Sequence, residues 1–132
     1  GGLLGARITQ IPGSSDVYAG GIIAYANEVK VAQLGVRDAT LATHGAVSEE
    51  VAREMAEGVQ RTLGTSIGVG ITGIAGPGGG SPEKPVGTVW LAVSGIGDTR
   101  SLGRVYVGDR EEIRLRATQA SLDLVRRALG SL

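Results

Sequence analysis

The amino-acid sequence predicts an α/β fold, a three-layer α/β/α sandwich with a mixed β-sheet. Apolar runs of strand length alternate along the chain with segments whose apolar residues recur at helical spacing, an order that packs helices on a sheet. In the second half of the chain a short glycine-containing turn joins two apolar runs, which adds a hairpin to the sheet. With 132 residues, the chain is expected to form a single domain, residues 1–132.

Helical periodicity and capping signals predict five helices. Ser48 is a good N-cap, and the glutamates after it favour the first turn of a helix that runs to about Leu63. Asp109 and Glu112 have capping-box spacing and open a helix that runs to about Leu129. Three shorter helices are predicted at residues 3–9, 28–34 and 37–43.

Four apolar runs predict strands at residues 20–26, 67–71, 87–94 and 100–107. The run 87–94 is apolar on both faces and therefore predicts a central strand. The run 100–107 alternates more, with Arg104 exposed, and predicts an edge strand after a hairpin turn at 95–99.

Composition excludes several classes of protein. The 13 basic and 13 acidic residues balance, whereas a nucleic-acid-binding domain normally carries a basic excess, so no nucleic-acid partner is expected. Cysteine is absent, and a single histidine does not make a metal site, so neither disulfides nor a metal are expected. No apolar run approaches the ~20 residues of a membrane helix and no signal peptide is visible, so we expect a cytoplasmic protein without a membrane partner.

Glycine is unusually frequent, at 23 of 132 residues, and phenylalanine is absent. The core must therefore consist of Val, Ile, Leu and Ala, and the glycines must serve turns and close backbone approaches. The sequence begins at Gly1-Gly2, in front of an apolar run and without an initiator Met, which we interpret as a fragment.

Seven stretches, read together, show a resemblance to a known family. They are GGLLGARIT (1–9), PGSSD (12–16), GGIIAYANEVK (20–30), LGV (34–36), HGAVSEEVAREMAEG (44–58), ITGIAGPGGGSPEKPVGTVW (71–90) and GDREEIR (108–114). In this order they resemble the CinA C-terminal, or nicotinamide-nucleotide amidase, family of competence/damage-inducible proteins. The resemblance covers nearly the whole chain.

The resemblance implies a serine–lysine amidase assisted by a tyrosine, with no cofactor. Family members carry a Glu-Ser-Cys-Thr segment directly ahead of the glycines that match Gly1 and Gly2, and its serine is the nucleophile. Because that serine lies ahead of Gly1, the 132 residues by themselves are expected to be inactive. The family also has a helix and a strand ahead of this segment. The matching catalytic residues here are Tyr25 and Lys30.

Spacing alone leaves the roles of Tyr25 and Lys30 open. Tyr25 would lie at the end of an apolar strand and Lys30 one turn further on, at the edge of an α/β sheet where ligands usually bind. A strand-end aromatic residue and a solvated helix lysine are the alternative interpretations. The family match favours catalytic roles for both residues, in which a neutral lysine takes the proton of the serine hydroxyl.

The remaining site predictions concern substrate binding. The glycine-rich loop 73–80 exposes backbone N–H groups that suit a phosphate or an oxyanion, although a flexible crossover is the alternative. Arg110 and Arg114 lie four residues apart in the first turns of the last helix, where they could bind the substrate phosphate. The alternative is that Glu111 pairs with Arg114 and Glu112 with Arg116. The predicted substrate-binding residues are Gly1, Gly2, Thr72, Gly73, Gly76, Lys84, Arg110 and Arg114.

Two functional hypotheses follow. The first is hydrolysis of the carboxamide of nicotinamide mononucleotide to nicotinic acid mononucleotide and ammonia. In this hypothesis the partner is the small-molecule nucleotide substrate, and the protein forms a homo-oligomer. The second is a non-catalytic nucleotide-binding or regulatory domain of a competence/damage-inducible protein.

Overall fold

The computed structural model describes residues 1–130 and shows an α/β domain with helices on both faces of one sheet. The helices are α1 (Leu3–Thr9), α2 (Asn27–Leu34), α3 (Asp38–His44), α4 (Glu49–Leu63) and α5 (Arg110–Leu129), with a 3-10 turn at Ser14–Asp16. The strands are β1 (Gly68–Gly73), β2 (Thr88–Gly95) and β3 (Gly97–Val105). Among residues 1–130, no helix has the length and apolar character that a bilayer crossing needs.

The capping predictions are confirmed. The Ser48 hydroxyl accepts a hydrogen bond from the backbone N–H of Val51, and Gly64 ends α4 in the left-handed region. Asp109 and Glu112 form the predicted capping box at the start of α5. The helix at residues 3–9 is also confirmed, and α2 and α3 begin within one residue of the predicted positions.

The sheet over the described residues has the order β1-β2-β3, and both strand pairs are antiparallel. The central position of β2 and the edge position of β3 are confirmed. Along β2, Leu91 contacts Ile113 of α5, whereas Ala92 contacts Ala52 and Ala56 of α4 on the opposite face. This alternation places the core on both faces of the sheet.

The predicted mixed sheet and the strand at residues 20–26 are not found. Residues 20–25 have no regular secondary structure and form no ladder with any strand of the described chain. The apolar pattern nevertheless has a function, because Ile22 and Ala24 pack on the core cluster around Leu34 and Met55. A strand needs a neighbour that offers backbone hydrogen bonds, and no strand of the described chain provides them to this segment.

Candidate functional site

Lys30 is a buried charged residue, with only 6% of its surface exposed. It lies in the first turn of α2, and helical side chains lean towards the N-terminus of their helix. The Lys30 amine accordingly reaches back to the segment before the helix, where Nζ donates to the carbonyl oxygens of Ala24 at 2.9 Å and Tyr25 at 3.2 Å. Local geometry therefore fixes the amine at the carboxyl end of residues 20–25.

Burial lowers the pKa of Lys30 from its ordinary value of 10.5, and the nearby carboxylate of Glu28 opposes this shift only in part. The shift has the direction that a general base needs, because an amine accepts a proton only in its neutral form.

The Gly1 end of the chain lies close to this amine. The charges of Arg114 and Lys30 both act on the Gly1 nitrogen, which places this nitrogen near both side chains. Gly2 adopts a left-handed conformation with φ 87° as the N-cap of α1, and a Cβ there would lie 3.0 Å from Cδ1 of Ile23. The backbone at Gly1-Gly2 thus runs beside the segment that leads to Tyr25 and Lys30.

Arg110 joins Tyr25 to the glycine-rich loop. The Nη2 group of Arg110 donates to the Tyr25 hydroxyl oxygen at 3.0 Å, and its Nη1 group donates to the carbonyl oxygen of Gly76 at 2.8 Å. The Tyr25 ring is otherwise open to solvent, with 74% of the residue exposed. The structure therefore brings seven of the ten predicted site residues to one edge of the domain: Gly1, Gly2, Tyr25, Lys30, Gly76, Arg110 and Arg114.

Arg114 belongs to the same edge, one turn beyond Arg110 on α5. Its Nη2 group would lie 3.8 Å from a Cβ built on Gly1. The alternative in which Glu111 pairs with Arg114 and Glu112 with Arg116 is not found, because within residues 1–130 no ion pair joins either pair. The Glu112 carboxylate instead accepts from the backbone N–H of Asp109 in the capping box.

Thr72, Gly73 and Lys84 have other contacts. The Thr72 hydroxyl donates to the carbonyl oxygen of Ala46 at 2.7 Å, and the Lys84 amine donates to that of His44. Gly73 ends β1, opposite Val89 of β2. These bonds attach β1 and the loop after it to the chain between α3 and α4. A role in substrate binding stays a prediction for all three residues.

The two carbonyl groups that hold Lys30 were not predicted from the sequence. Ala24 contributes only a backbone oxygen, so its side chain gives no signal. The available signal was positional, because a lysine in the first turn of a helix leans towards the residues that precede it.

Two clefts of the described surface lie away from this edge. One, of about 220 Å³, lies between β3 and α5, and another, of about 370 Å³, lies beside α1 and the turn at Ser14–Asp16. Lys30 and Tyr25 line neither of them. We assign the candidate site by its chemistry rather than by cavity volume, because a buried amine with a lowered pKa is uncommon outside functional sites.

The fold and this edge define an α/β domain with a buried candidate base. The model of the CinA C-terminal domain family matches residues 1–129, and the chain belongs to that family. It is 62% identical over 130 residues to a CinA-like protein of Gemmatimonas aurantiaca and 54% identical over 129 residues to a putative competence-damage inducible protein of Moorella thermoacetica. Each match covers 98% of this chain but only 30% and 31% of the two relatives, respectively.

Solved structures of CinA-type proteins have the same fold as this chain. The crystal structure of the competence/damage inducible protein CihA from Agrobacterium tumefaciens superposes with a TM-score of 0.94 at 42% identity. The superposition covers 97% of this chain and 79% of that one. The fold is therefore that of the family.

Proposed function

We propose that this domain is a nicotinamide-nucleotide amidase, which converts the carboxamide of nicotinamide mononucleotide to the carboxylate of nicotinic acid mononucleotide with release of ammonia. Family membership supports the reaction class. The observation that carries the proposal is the buried amine of Lys30, held beside Tyr25 and near the Gly1 end of the chain.

The hydrogen bonds of Lys30 suit a base. A neutral amine has two hydrogens and one lone pair, and the carbonyl oxygens of Ala24 and Tyr25 accept both hydrogens. The lone pair then remains for the proton of a hydroxyl group. A protonated amine would carry a third hydrogen, which finds no further protein acceptor among the described residues.

The proposed reaction uses the serine of the Glu-Ser-Cys-Thr segment that the family resemblance implies ahead of Gly1. Lys30 takes the hydroxyl proton while the serine oxygen attacks the carboxamide carbon. The C–N bond then breaks, and Tyr25 relays the proton from Lys30 to the departing nitrogen, which leaves as ammonia. Water adds to the acyl-enzyme, restores the serine and releases the carboxylate product.

The finer fold prediction also becomes a proposal. Residues 20–25 run without a ladder, although Ile22 and Ala24 already pack on the core. We propose that the strand implied ahead of Gly1 pairs with this segment and makes the sheet mixed. A hydrogen-exchange comparison tests this: the amides of residues 20–25 become protected only when that strand is present.

We also propose that the protein is cytoplasmic and forms a homo-oligomer. Ile11 and Val17, which are 65% and 86% exposed, border the cleft beside α1 and support an association surface. Sedimentation equilibrium tests the oligomer, and a monomer at every concentration would contradict it.

The test of the amidase is ammonia release from nicotinamide mononucleotide by the protein with its serine segment included. Lys30→Met keeps the length and apolar stem of the side chain but removes the base, and should lower the rate by about 10²–10⁴-fold. The matched control is Arg61→Met, which removes a side-chain donor to the carbonyl oxygen of Leu34 at the other end of α2 and should keep the activity.

An unchanged rate in Lys30→Met would remove Lys30 from the mechanism. Tight binding of the nucleotide by the wild type without ammonia release would favour the alternative, a non-catalytic nucleotide-binding domain.

A further inference from the structure

Arg110 occupies an unfavourable position for a cation. It is the first residue of α5, directly after the N-cap Asp109, where its charge opposes the helix dipole. Within residues 1–130 no carboxylate forms an ion pair with it. The residue type at this position therefore requires another explanation, and its two hydrogen bonds supply one.

The planar guanidinium group of Arg110 connects two segments that are distant in sequence. Nη2 donates to Tyr25, 85 residues away, and Nη1 donates to Gly76, 34 residues away. Two donors in one rigid plane fix a direction as well as a distance, which a lysine amine cannot do. The bond to the Gly76 carbonyl anchors the guanidinium, and the anchored group in turn holds the Tyr25 hydroxyl.

The chemistry of the bond sets the orientation of the Tyr25 proton. A guanidinium has only donors, so the phenol oxygen must accept, and the phenol hydrogen is free to point elsewhere. Tyr25 is 74% exposed, and Arg110 supplies the side-chain hydrogen bond that orients its hydroxyl. A hydroxyl held in this way can donate its own proton while it accepts another, as a relay to ammonia requires.

Arg114 differs from its neighbour. Its guanidinium makes no hydrogen bond or ion pair within residues 1–130, and it lies near the Gly1 nitrogen. Arg114 therefore has all five of its N–H donors available for a phosphate, whereas two of the five donors of Arg110 already bind Tyr25 and Gly76.

We infer that Arg110 is a positioning residue, which fixes the Tyr25 hydroxyl for proton transfer, and that it does not bind the substrate phosphate. This inference rests on the proposed amidase function and separates the roles of two arginines that the sequence left equivalent.

The experiment measures kcat and KM for nicotinamide mononucleotide and for its dephosphorylated form, nicotinamide riboside, in the protein with its serine segment. Arg110→Gln should lower kcat about 10- to 100-fold for both substrates with little change in KM, because a displaced catalytic group slows the chemical step. Arg110→Lys should show a comparable loss, because a lysine amine cannot hold the Tyr25 hydroxyl and the Gly76 carbonyl in one fixed plane. Arg116→Gln, on the same helix and exposed, is the matched control and should retain wild-type kinetics.

The decisive measurement is a double-mutant cycle with Tyr25→Phe. If Arg110 acts through Tyr25, then Arg110→Gln adds no further loss in the Tyr25→Phe background. A raised KM for the mononucleotide alone, with kcat unchanged, would show that Arg110 binds the phosphate and would overturn the inference. Additive losses in the cycle would overturn it as well.

Failure of the amidase proposal has a different signature. In that case the wild type releases no ammonia, while the contact itself can still be tested through ring relaxation of Tyr25 by NMR. Faster ring motion in Arg110→Gln than in Arg116→Gln would then support the positioning contact, and equal motion would overturn it.

Discussion

The contacts between α4 and its neighbouring elements differ in kind from the contacts at the edge that carries Lys30. On the α4 face, backbone lies directly against backbone: a Cβ added at Gly58, Gly68 or Gly70 would lie 1.9, 2.1 or 2.4 Å from a carbonyl oxygen of another element. At the edge, long polar side chains make the contacts, and Tyr25, Arg110 and Arg114 are exposed. The packing around α4 thus depends on glycines that have no side chain, whereas the candidate site consists of long polar side chains on the surface of that packed region.

The two regions are joined through α2. Its last carbonyl, that of Leu34, contacts Gly58 of α4, and its first turn carries Lys30. A change in the packed region should therefore reach the site, while a change at the edge should leave the frame intact. The three predictions below test this asymmetry.

The largest effect is expected from Gly58→Ala. In the middle of a helix this substitution ordinarily stabilises by about 0.5–1 kcal/mol. Here the new methyl would lie 1.9 Å from the Leu34 carbonyl oxygen, and overpacking of this kind costs about 3 kcal/mol or more. Urea unfolding measures the loss. Gly78→Ala is the control, because nothing lies within 4 Å of a Cβ there, and a comparable loss in that variant would contradict the explanation.

A smaller effect is expected from Glu54→Gln, about 1–2 kcal/mol near neutral pH. The Glu54 carboxylate of α4 accepts from the backbone N–H of Arg37 at 2.8 Å and from the Thr40 hydroxyl at 2.6 Å, and so caps the start of α3. Burial alone would raise its pKa, but these bonds and the Arg37 charge lower it from 4.5.

The pH dependence of Glu54 follows from that shift. Its stabilisation is fully present above pH 4.5 and is lost as the pH falls through the lowered pKa, because the unfolded state then gains the proton first. The free energy of unfolding of wild type and Glu54→Gln should converge in acid. Glu57→Gln, an exposed change on the same helix, should alter stability by less than about 0.5 kcal/mol.

The smallest effect is expected from Lys30→Met, as a change in the slope of the free energy of unfolding against pH. Between the lowered pKa of Lys30 and 10.5, the unfolded state binds a proton that the native state lacks, so wild-type stability rises with pH there. Methionine removes this contribution, and its stability should lack that rise. Parallel pH profiles of unfolding for the two proteins would show that burial does not disfavour the Lys30 charge.

The sequence predicted helices better than it predicted the sheet, for a physical reason. The side chains of Ser48 and Asp109 accept hydrogen bonds from backbone N–H groups three residues further along the chain. The signal for the start of each helix is therefore local. A strand depends on a partner elsewhere, and the apolar run that ends at Tyr25 has none among the described residues. Ile22 and Ala24 of this run nonetheless pack on the core.

The candidate site was predictable only in its residue types. The family resemblance drew attention to Tyr25 and Lys30, and the position of Arg110 and Arg114 at the start of the last helix drew attention to these two, but neither signal distinguished the two arginines. The distinction comes from the carbonyl of Gly76, a backbone group that any residue would provide. Likewise, the burial of Lys30 depends on how its stem packs in the folded domain, which spacing does not reveal.

The bare contacts at Gly58, Gly68 and Gly70 have a consequence for laboratory evolution of this domain. In a library that randomises these three glycines, most variants would fail to fold, because any side chain there would collide with a backbone carbonyl oxygen. Loop glycines such as Gly78, where added atoms enter open space, are the better places to introduce diversity, attachment points or labels.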